Sequence, residues 1–512
     1  MAQTDTPPPG PDFTQGVPLA SVPMGGVLAG HVDGTAVLLS RLDDGVHAVG
    51  GTCTHYGAAL GEGLVVGDGI HCPWHHACFN LRTGAASCAP AFAPLARWTT
   101  EVVGDTVFVR GEDATPLPPP TRRPGAPERI VIIGGGAAGF AAAERLRTLG
   151  YEGALSMLSA DDAAPCDRPN LSKDFLAGTA PEDWIPLQGP EFYSERGIEL
   201  RLSCEVAAIQ VHTHHLVTTT GERIHYDRLL IATGAEPRAL PIPGFDLPNV
   251  FALRSLADAR AIIAACDHAR AVALVGAGFI GMEAAAALRA RGLEVHVIAP
   301  DAVPLERVLG RELGEFVTSL HRHDGVVFHL QSTARAFDGT SLTLADGTAI
   351  DAQFVIVGAG VTPRTALAAA AGIAVDDGIL VDPQLQTSVP GHYAAGDVAR
   401  YRHDGGLVRV EHWVHAQRQG QVAAANLLGA NEAFNDVPFF WTHHYGLDLR
   451  YTGHGQGWDE VRGDGSLTDR DFIARFFRNG TLVAAASVGR DLENLEMEAA
   501  LRSRSPPTPR ME

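Results

Sequence analysis

Lysine is almost absent from this sequence: Lys173 is the single one among 512 residues, and every other basic side chain is Arg or His. Asp and Glu outnumber Lys and Arg 59 to 39, a formal charge of -20, which argues against nucleic acid or an anionic membrane as partner. Seven cysteines include no Cys-x-x-Cys, so neither a redox-active dithiol nor a disulfide framework is predicted. Cys78 and Cys88 read as small buried side chains, and Cys166, Cys204 and Cys266 as isolated ones. No apolar run is long enough to span a bilayer. The N-terminus, MAQTDTPPPGPDF, lacks the basic-then-apolar order of a leader, and a cytoplasmic protein is the expectation. The length alone predicts about three to four domains.

Against these absences stands CTHYGAALGEGLVVGDGIHCPWH, residues 53–75. It offers Cys53-x-His55, then sixteen intervening residues, then Cys72-x-x-His75. Two loops that each give one Cys and one His suit a [2Fe-2S] cluster with thiolates on one iron and imidazoles on the other. Zinc is the competing reading, although its paired ligands usually stand about two to four residues apart rather than one. CTHYG and CPWHHACFN resemble the cluster loops of Rieske ferredoxin domains. Respiratory-type Rieske proteins carry one further cysteine in each loop, joined as a disulfide; here those positions are Ala58 and Trp74. The resemblance is therefore to the soluble branch, with potentials toward the low end of the Rieske range. The residue after the last ligand is usually Gly in that family and here is His76; if a positive φ is required there, the β-carbon adds strain.

Residues 13–113 carry short strands between Gly and Asp turns, with AVLLSRL, Asp43-Asp44-Gly45 and VHAV forming a hairpin signal. They are read as an all-β Rieske domain. Residues 114–128, ATPLPPPTRRPGAPE, read as a linker; at roughly 3.1 Å per residue it could reach about 45 Å. The cluster domain is thus expected to be a tethered module that docks on the remainder of the chain.

RIVIIGGGAAGFAAAERLRTLG comes next: an apolar strand, a tight turn with Gly134, Gly136 and Gly139, and a helix. AVALVGAGFIGMEAAAALRARG repeats it, with Gly276, Gly278 and Gly281 each 142 positions later. Such glycines let backbone approach a pyrophosphate at a helix N-terminus. Two copies predict two dinucleotide sites.

LLIATGAEPR (229–238, including Thr233), FVIVGAGVTPR (354–364), HYAAGDVAR (392–400) and DRPNLSK (167–173) resemble segments of the two-dinucleotide flavoprotein reductases. The similarity is to ferredoxin reductases of oxygenase systems and to apoptosis-inducing-factor-like proteins, some of which carry an N-terminal Rieske domain. It implies an α+β and α/β multidomain chain. FAD would occupy residues 129–249 and 367–432, NAD(P) residues 250–366, and 433–503 would form an α+β interface domain. The resemblance also implies that Asp397 binds the ribityl chain, that Arg168 faces the FAD phosphates, and that Lys173 sits beside the flavin's reactive edge paired with Glu283. The other reading of Lys173 is a surface lysine left by an Arg-rich composition. The ribose-binding acids expected at the second strand ends are replaced by Ala160 and Ala299; Asp161 and Asp301, one or two positions on, either substitute or are surface charges. No arginine stands directly at the second site to receive a 2′-phosphate, which favours NADH over NADPH. VEHWVHAQRQG, 410–420, resembles the segment against the isoalloxazine. Trp413 then marks the flavin's exposed edge, or is a plain core aromatic; Glu411 and His412 contact FAD or nicotinamide, or form a helix-start pair.

The function these parts imply is hydride transfer from NAD(P)H to FAD, in which positioning is most of the protein's share and no side chain need be acid, base or nucleophile. Electrons would pass singly to the chain's own cluster. They would leave past His55 and His75, the ligands expected at the surface, to an oxygenase, cytochrome or ferredoxin. The alternative is a signalling protein of the apoptosis-inducing-factor kind, in which nucleotide binding controls conformation or dimerisation. Monomer and homodimer both remain open.

Overall fold

The structure is a computed structural model that describes residues 8–115, 125–403 and 405–504. Most of the linker read over 114–128, and the tail from 505, lie outside the described residues.

Residues 8–112 fold as strands and loops with short 3-10 turns at Phe13–Gln15, Leu19–Ser21 and Leu60–Glu62, and no α-helix. A six-stranded antiparallel sheet includes the expected hairpin, Thr35–Leu42 against Gly45–Gly50. A smaller sheet of Leu64–Val66, Gly69–His71, Cys78–Asn80 and Ala86–Cys88 carries the second ligand loop. One expectation is corrected here: Cys78 and Cys88 are bonded as a disulfide. They are direct partners in the antiparallel register, with Cα atoms 5.0 Å apart, which is within bridging reach. Pairing across a sheet, which no local motif announces, created the bond.

Two similar units come after it. In the first, β1 (Arg129–Ile133), α1 (Ala137–Thr148) and β2 (Ala154–Leu158) build a parallel sheet with the strands Ile198–Arg201, Arg228–Ile231 and His392–Ala394. In the second, β3 (Ala271–Val275), α2 (Phe279–Ala290) and β4 (Glu294–Ala299) do the same with Val250–Phe251, Phe354–Val357 and Val326–Leu330. β3 is buried along its whole length and β1 in all but its first residue, as strands covered on both faces must be. The turns repeat in detail. Gly134 and Gly276 have φ of 113° and 120°, and a β-carbon there would stand 2.2 and 2.3 Å from a carbonyl oxygen. At Gly139 and Gly281 it would stand 1.9 and 2.5 Å from the carbonyls of those first glycines. Only glycine lets each helix sit so closely under its turn.

Helix α3 (Glu306–His323) flanks the second unit, and α4 (Trp413–Leu427) packs along α1. Beyond them, β5 (Phe439–His444) and β6 (Leu447–Gly453) open a five-stranded antiparallel sheet covered by α5 (Asp491–Arg504). Successive side chains of a strand point to opposite faces. Along β5, Phe439 and Trp441 meet the cluster domain, whereas Phe440, Thr442 and His444 meet α2 and α3. No helix among the described residues is long and apolar enough to cross a membrane.

Candidate functional site

The four ligand candidates converge as two pairs. Nδ1 of His55 and Nδ1 of His75 lie 3.2 Å apart, and Cys53 and Cys72 are both buried and neighbour one another. The neighbouring thiol, with burial, pushes Cys53 up, while Cys53 holds Cys72 below the ordinary thiol value. Among the described residues no group of three or more His, Cys, Asp or Glu surrounds a single metal position. A sulfur pair beside a nitrogen pair is the donor set a Rieske cluster uses, with thiolates on one iron and imidazoles on the other.

The histidine edge faces the reductase body: His75 does not reach the surface as expected, whereas His55 stays half-exposed. His75 is buried, and its ring packs on Trp441 of β5 with centroids 4.1 Å apart. His55 stacks on Tyr56 and lies edge-on to Trp441 at 6.5 Å. The Tyr56 hydroxyl donates to Asp167, in the 167–173 segment of the first unit; burial, with Asp167 next, pushes the phenol up.

Two buried arginines of the reductase body hold the cluster domain by its backbone. Arg450 on β6 donates to the Trp74 carbonyl at 2.9 Å. Arg418 on α4 donates to the carbonyls of His76 at 2.6 Å and Ala89 at 3.2 Å, and is ion-paired to Glu498 and Asp436. His76 does adopt positive φ, 60°. Its ring is fully buried, stacks on Phe439 at 3.8 Å and bonds through Nδ1 to Glu498 on α5. Burial opposes ionisation of Glu498, but Arg418, His76 and Arg502 outweigh it and hold its pKa below the usual range.

On the other side of Trp441 opens a cleft of about 1500 Å³. Gly134, Gly136, Asp161, Arg168, Lys173, Thr233, Glu283, Asp397, Glu411, His412 and Trp413 all line it, and so does Trp441. The N-terminus of α1 has no side-chain cap, and the Arg168 guanidinium stands over Gly136. Burial first, and then the neighbouring Arg254, lowers the pKa of Arg168; two cations and a row of free amides form a cradle for phosphates. Asp397 is ion-paired to Arg254 at 2.7 Å, and Thr233 donates to the Arg364 carbonyl. Burial holds His412 down to about 3, and its Nδ1 has no partner among the described residues. Burial also raises Glu411, against the pull of Arg409. These residues fit a flavin nucleotide: a phosphate cradle at one end and unpartnered polar atoms along the wall.

Lys173 is no surface lysine. Its ammonium pairs with Glu283 at 2.9 Å, both groups mostly buried, and lies 5.7 Å from the Trp441 ring. Ser172 and Thr442 donate to the same carboxylate. Gly276, Gly278, Gly281 and Asp301 belong to the second unit and do not line the cleft, although Phe279 and Ile280 at the start of α2 do. Asp301 faces Arg307 at 3.5 Å, a cation that sequence reading did not place there. Sequence reading also missed Trp441, Arg418 and Arg450. The alternation of FFWTHH signals a two-faced strand, yet nothing local says what each face meets.

Two dinucleotide-type folds sharing a cleft, with a Cys-His donor set one aromatic ring away, define an oxidoreductase that brings flavin, nicotinamide and iron-sulfur chemistry together. The pyridine nucleotide-disulphide oxidoreductase profile matches residues 128–420, the Rieske [2Fe-2S] domain profile 17–99 and the reductase C-terminal profile 439–511. The chain belongs to the pyridine nucleotide-disulphide oxidoreductase family, with a Rieske domain at its N-terminus. It is similar to apoptosis-inducing factor 3 of Homo sapiens, 33% identical over 89% of this chain and 78% of that one. It is also similar to the ferredoxin reductase subunit of 5,5′-dehydrodivanillate O-demethylase of Sphingobium sp., 37% identical over 72% of this chain and 92% of that one. Among solved structures, the covalent putidaredoxin reductase–putidaredoxin complex superposes with a TM-score of 0.71 at 32% identity, covering 74% of this chain and 94% of that one.

Proposed function

We propose that this chain oxidises NADH and passes the two electrons singly through its own cluster to an acceptor protein. One observation carries the reading: Trp441 lines the cleft and packs against the ligand His75 with centroids 4.1 Å apart. When bound, FAD converts hydride into electrons that the [2Fe-2S] cluster accepts one at a time. The protein's share is placement. The α1 amides with Arg168 would take the FAD pyrophosphate, Asp161 the adenosine ribose and Asp397 the ribityl chain, with Thr233, Glu411, His412 and Trp413 along the wall. Lys173, held by Glu283, would stand at the reactive edge. Gly276, Gly278 and Gly281 would admit the nicotinamide nucleotide's pyrophosphate at α2, and Asp301 its ribose. A carboxylate there opposes a 2′-phosphate, and Arg307 beside it opposes that preference, so the ratio of kcat/KM for NADH and NADPH is the check. The acceptor is a ferredoxin, cytochrome or oxygenase; relatives named as ferredoxin reductases of dioxygenase systems support that class.

The test is an anaerobic NADH titration of the holoprotein followed by absorbance and low-temperature EPR. Bleaching of the flavin with growth of a Rieske-type signal supports the reading. Bleaching without that signal overturns the path through Trp441. NADH-dependent dimerisation with slow reoxidation by every acceptor would favour the signalling alternative.

A further inference from the structure

We propose that Thr442, His444, His321 and Tyr445 form a proton path from Glu283 in the cleft to the surface. The proposal rests on the proposed NADH-to-cluster function, because that function leaves a proton to dispose of. A hydride is one proton and two electrons, and the cluster takes electrons only. NADH and two oxidised one-electron acceptors therefore give NAD⁺, two reduced acceptors and one proton, which must leave the cleft at every turnover.

A group that can take it up is at hand. Lys173, the chain's one lysine, lies in the cleft wall as an ammonium that only donates, so the acceptor is the carboxylate it pairs with at 2.9 Å. Its partner Glu283 begins a continuous line of hydrogen bonds. Thr442 Oγ1 meets Glu283 at 2.7 Å and His444 Nε2 at 3.0 Å. His444 Nδ1 meets His321 Nε2 at 3.3 Å, and His321 Nδ1 meets the Tyr445 hydroxyl at 3.2 Å. Glu283, Thr442, His444 and His321 are all buried, whereas Tyr445 is only half-buried, close to Asp324 and Arg289. Burial holds His444 near 3 and His321 near 2, so both rings are neutral, with one N–H and one acceptor each, as a relay requires.

The line is self-consistent in both directions. With Glu283 ionised, Tyr445 donates to His321, His321 to His444, His444 to Thr442, and Thr442 to the carboxylate. With Glu283 protonated, every bond reverses through the other imidazole tautomers, and Tyr445 donates outward. Neither state leaves a hydrogen bond in the line unmade. Tyr445 also occupies a left-handed turn position, φ 51°, at the tip of the β5–β6 hairpin. An aromatic residue disfavours that backbone, and here it brings the hydroxyl onto His321.

The test uses the holoprotein in stopped flow, with NADH as donor, ferricyanide as acceptor and a pH-indicator dye in weak buffer. In His321→Gln and His444→Gln, flavin bleaching by NADH and the flavin midpoint potential should match wild type. Proton release and turnover should slow about 100- to 10,000-fold, the ordinary worth of a positioned proton-transfer group. Imidazole added to His321→Ala should restore part of the rate. Tyr445→Phe, at the solvent end, gives the same readout if the buried variants do not fold. Wild-type rates of proton release in folded variants refute the path. So does a shifted flavin potential that accounts for the slowing, since the histidines would then act by electrostatics. A wild-type flavin that NADH does not bleach removes the underlying function, and the path with it.

Discussion

His76 stands where glycine would fit the backbone, and the structure says what its side chain does instead. Its ring reaches from the second ligand loop to Phe439 and Glu498, so His76→Ala removes a stacked ring and a hydrogen bond to a charged group. These are worth about 0.5–1.5 kcal/mol and about 1.5–3 kcal/mol. Glu498 would keep Arg418 at 3.0 Å and Arg502 at 2.6 Å; the penalty of an orphaned buried charge, about 3–5 kcal/mol, therefore does not apply. His76→Ala should weaken docking by about 2–4.5 kcal/mol. His76→Gly loses the same contacts, so docking should weaken as much, but it relieves the left-handed strain within the cluster domain, about 1 kcal/mol, so that domain should be about that much more stable than in Ala. Because both partners lie across the interface, the loss should fall on docking and leave each domain's own fold intact. Calorimetry should show a separate early transition for the cluster domain, at a lower temperature in Ala than in Gly. Freeze-quench EPR after NADH mixing should show slower growth of the cluster signal, with flavin bleaching unchanged. Equal transitions in Ala and Gly, or a Gly variant docked as firmly as wild type, would refute the reasoning.

Replacing Trp441 with Leu keeps an apolar side chain on β5 but removes the ring between cleft and His75; cluster reduction should slow while hydride transfer does not, as single-turnover absorbance and EPR can separate. Cys53→Ser should abolish the Rieske EPR signal and leave NADH bleaching of the flavin intact; a zinc-loaded, EPR-silent wild type would defeat that expectation. Lys173→Met strands the buried Glu283 carboxylate and should cost about 3–5 kcal/mol in urea unfolding, more than Glu283→Gln. Acid should destabilise the fold through His412 and His444, which burial holds near 3. The unfolded chain protonates them near 6.5, so stability is fully present above that pH and is lost as pH falls toward 3. The loss is about 1.4 kcal/mol per histidine per pH unit, and unfolding midpoints that stay flat between pH 7 and 5 would contradict it.

The cofactor classes were legible because their signatures are local. A turn that admits pyrophosphate needs glycines at set spacing, and it left the same mark at Gly134 and Gly276; two loops of one Cys and one His each mark the cluster. Lys173 announced itself by being alone. Its pairing with Glu283 came from resemblance, since the two belong to different folds and share no local pattern.

What the chain by itself determined was therefore whatever a few consecutive residues can build: nucleotide turns, ligand loops, hairpins and alternating strands. Tertiary structure decided the rest. The register of two short strands joined Cys78 to Cys88. Docking buried His75 against Trp441 and left His55 half-exposed beside it, and it gave His76 a role that its backbone strain alone would argue against. β5 shows the reason most plainly. Its alternation fixes that Trp441 and Thr442 point opposite ways, but what each meets, His75 or Glu283, depends on contacts across hundreds of residues that exist only once the domains have packed.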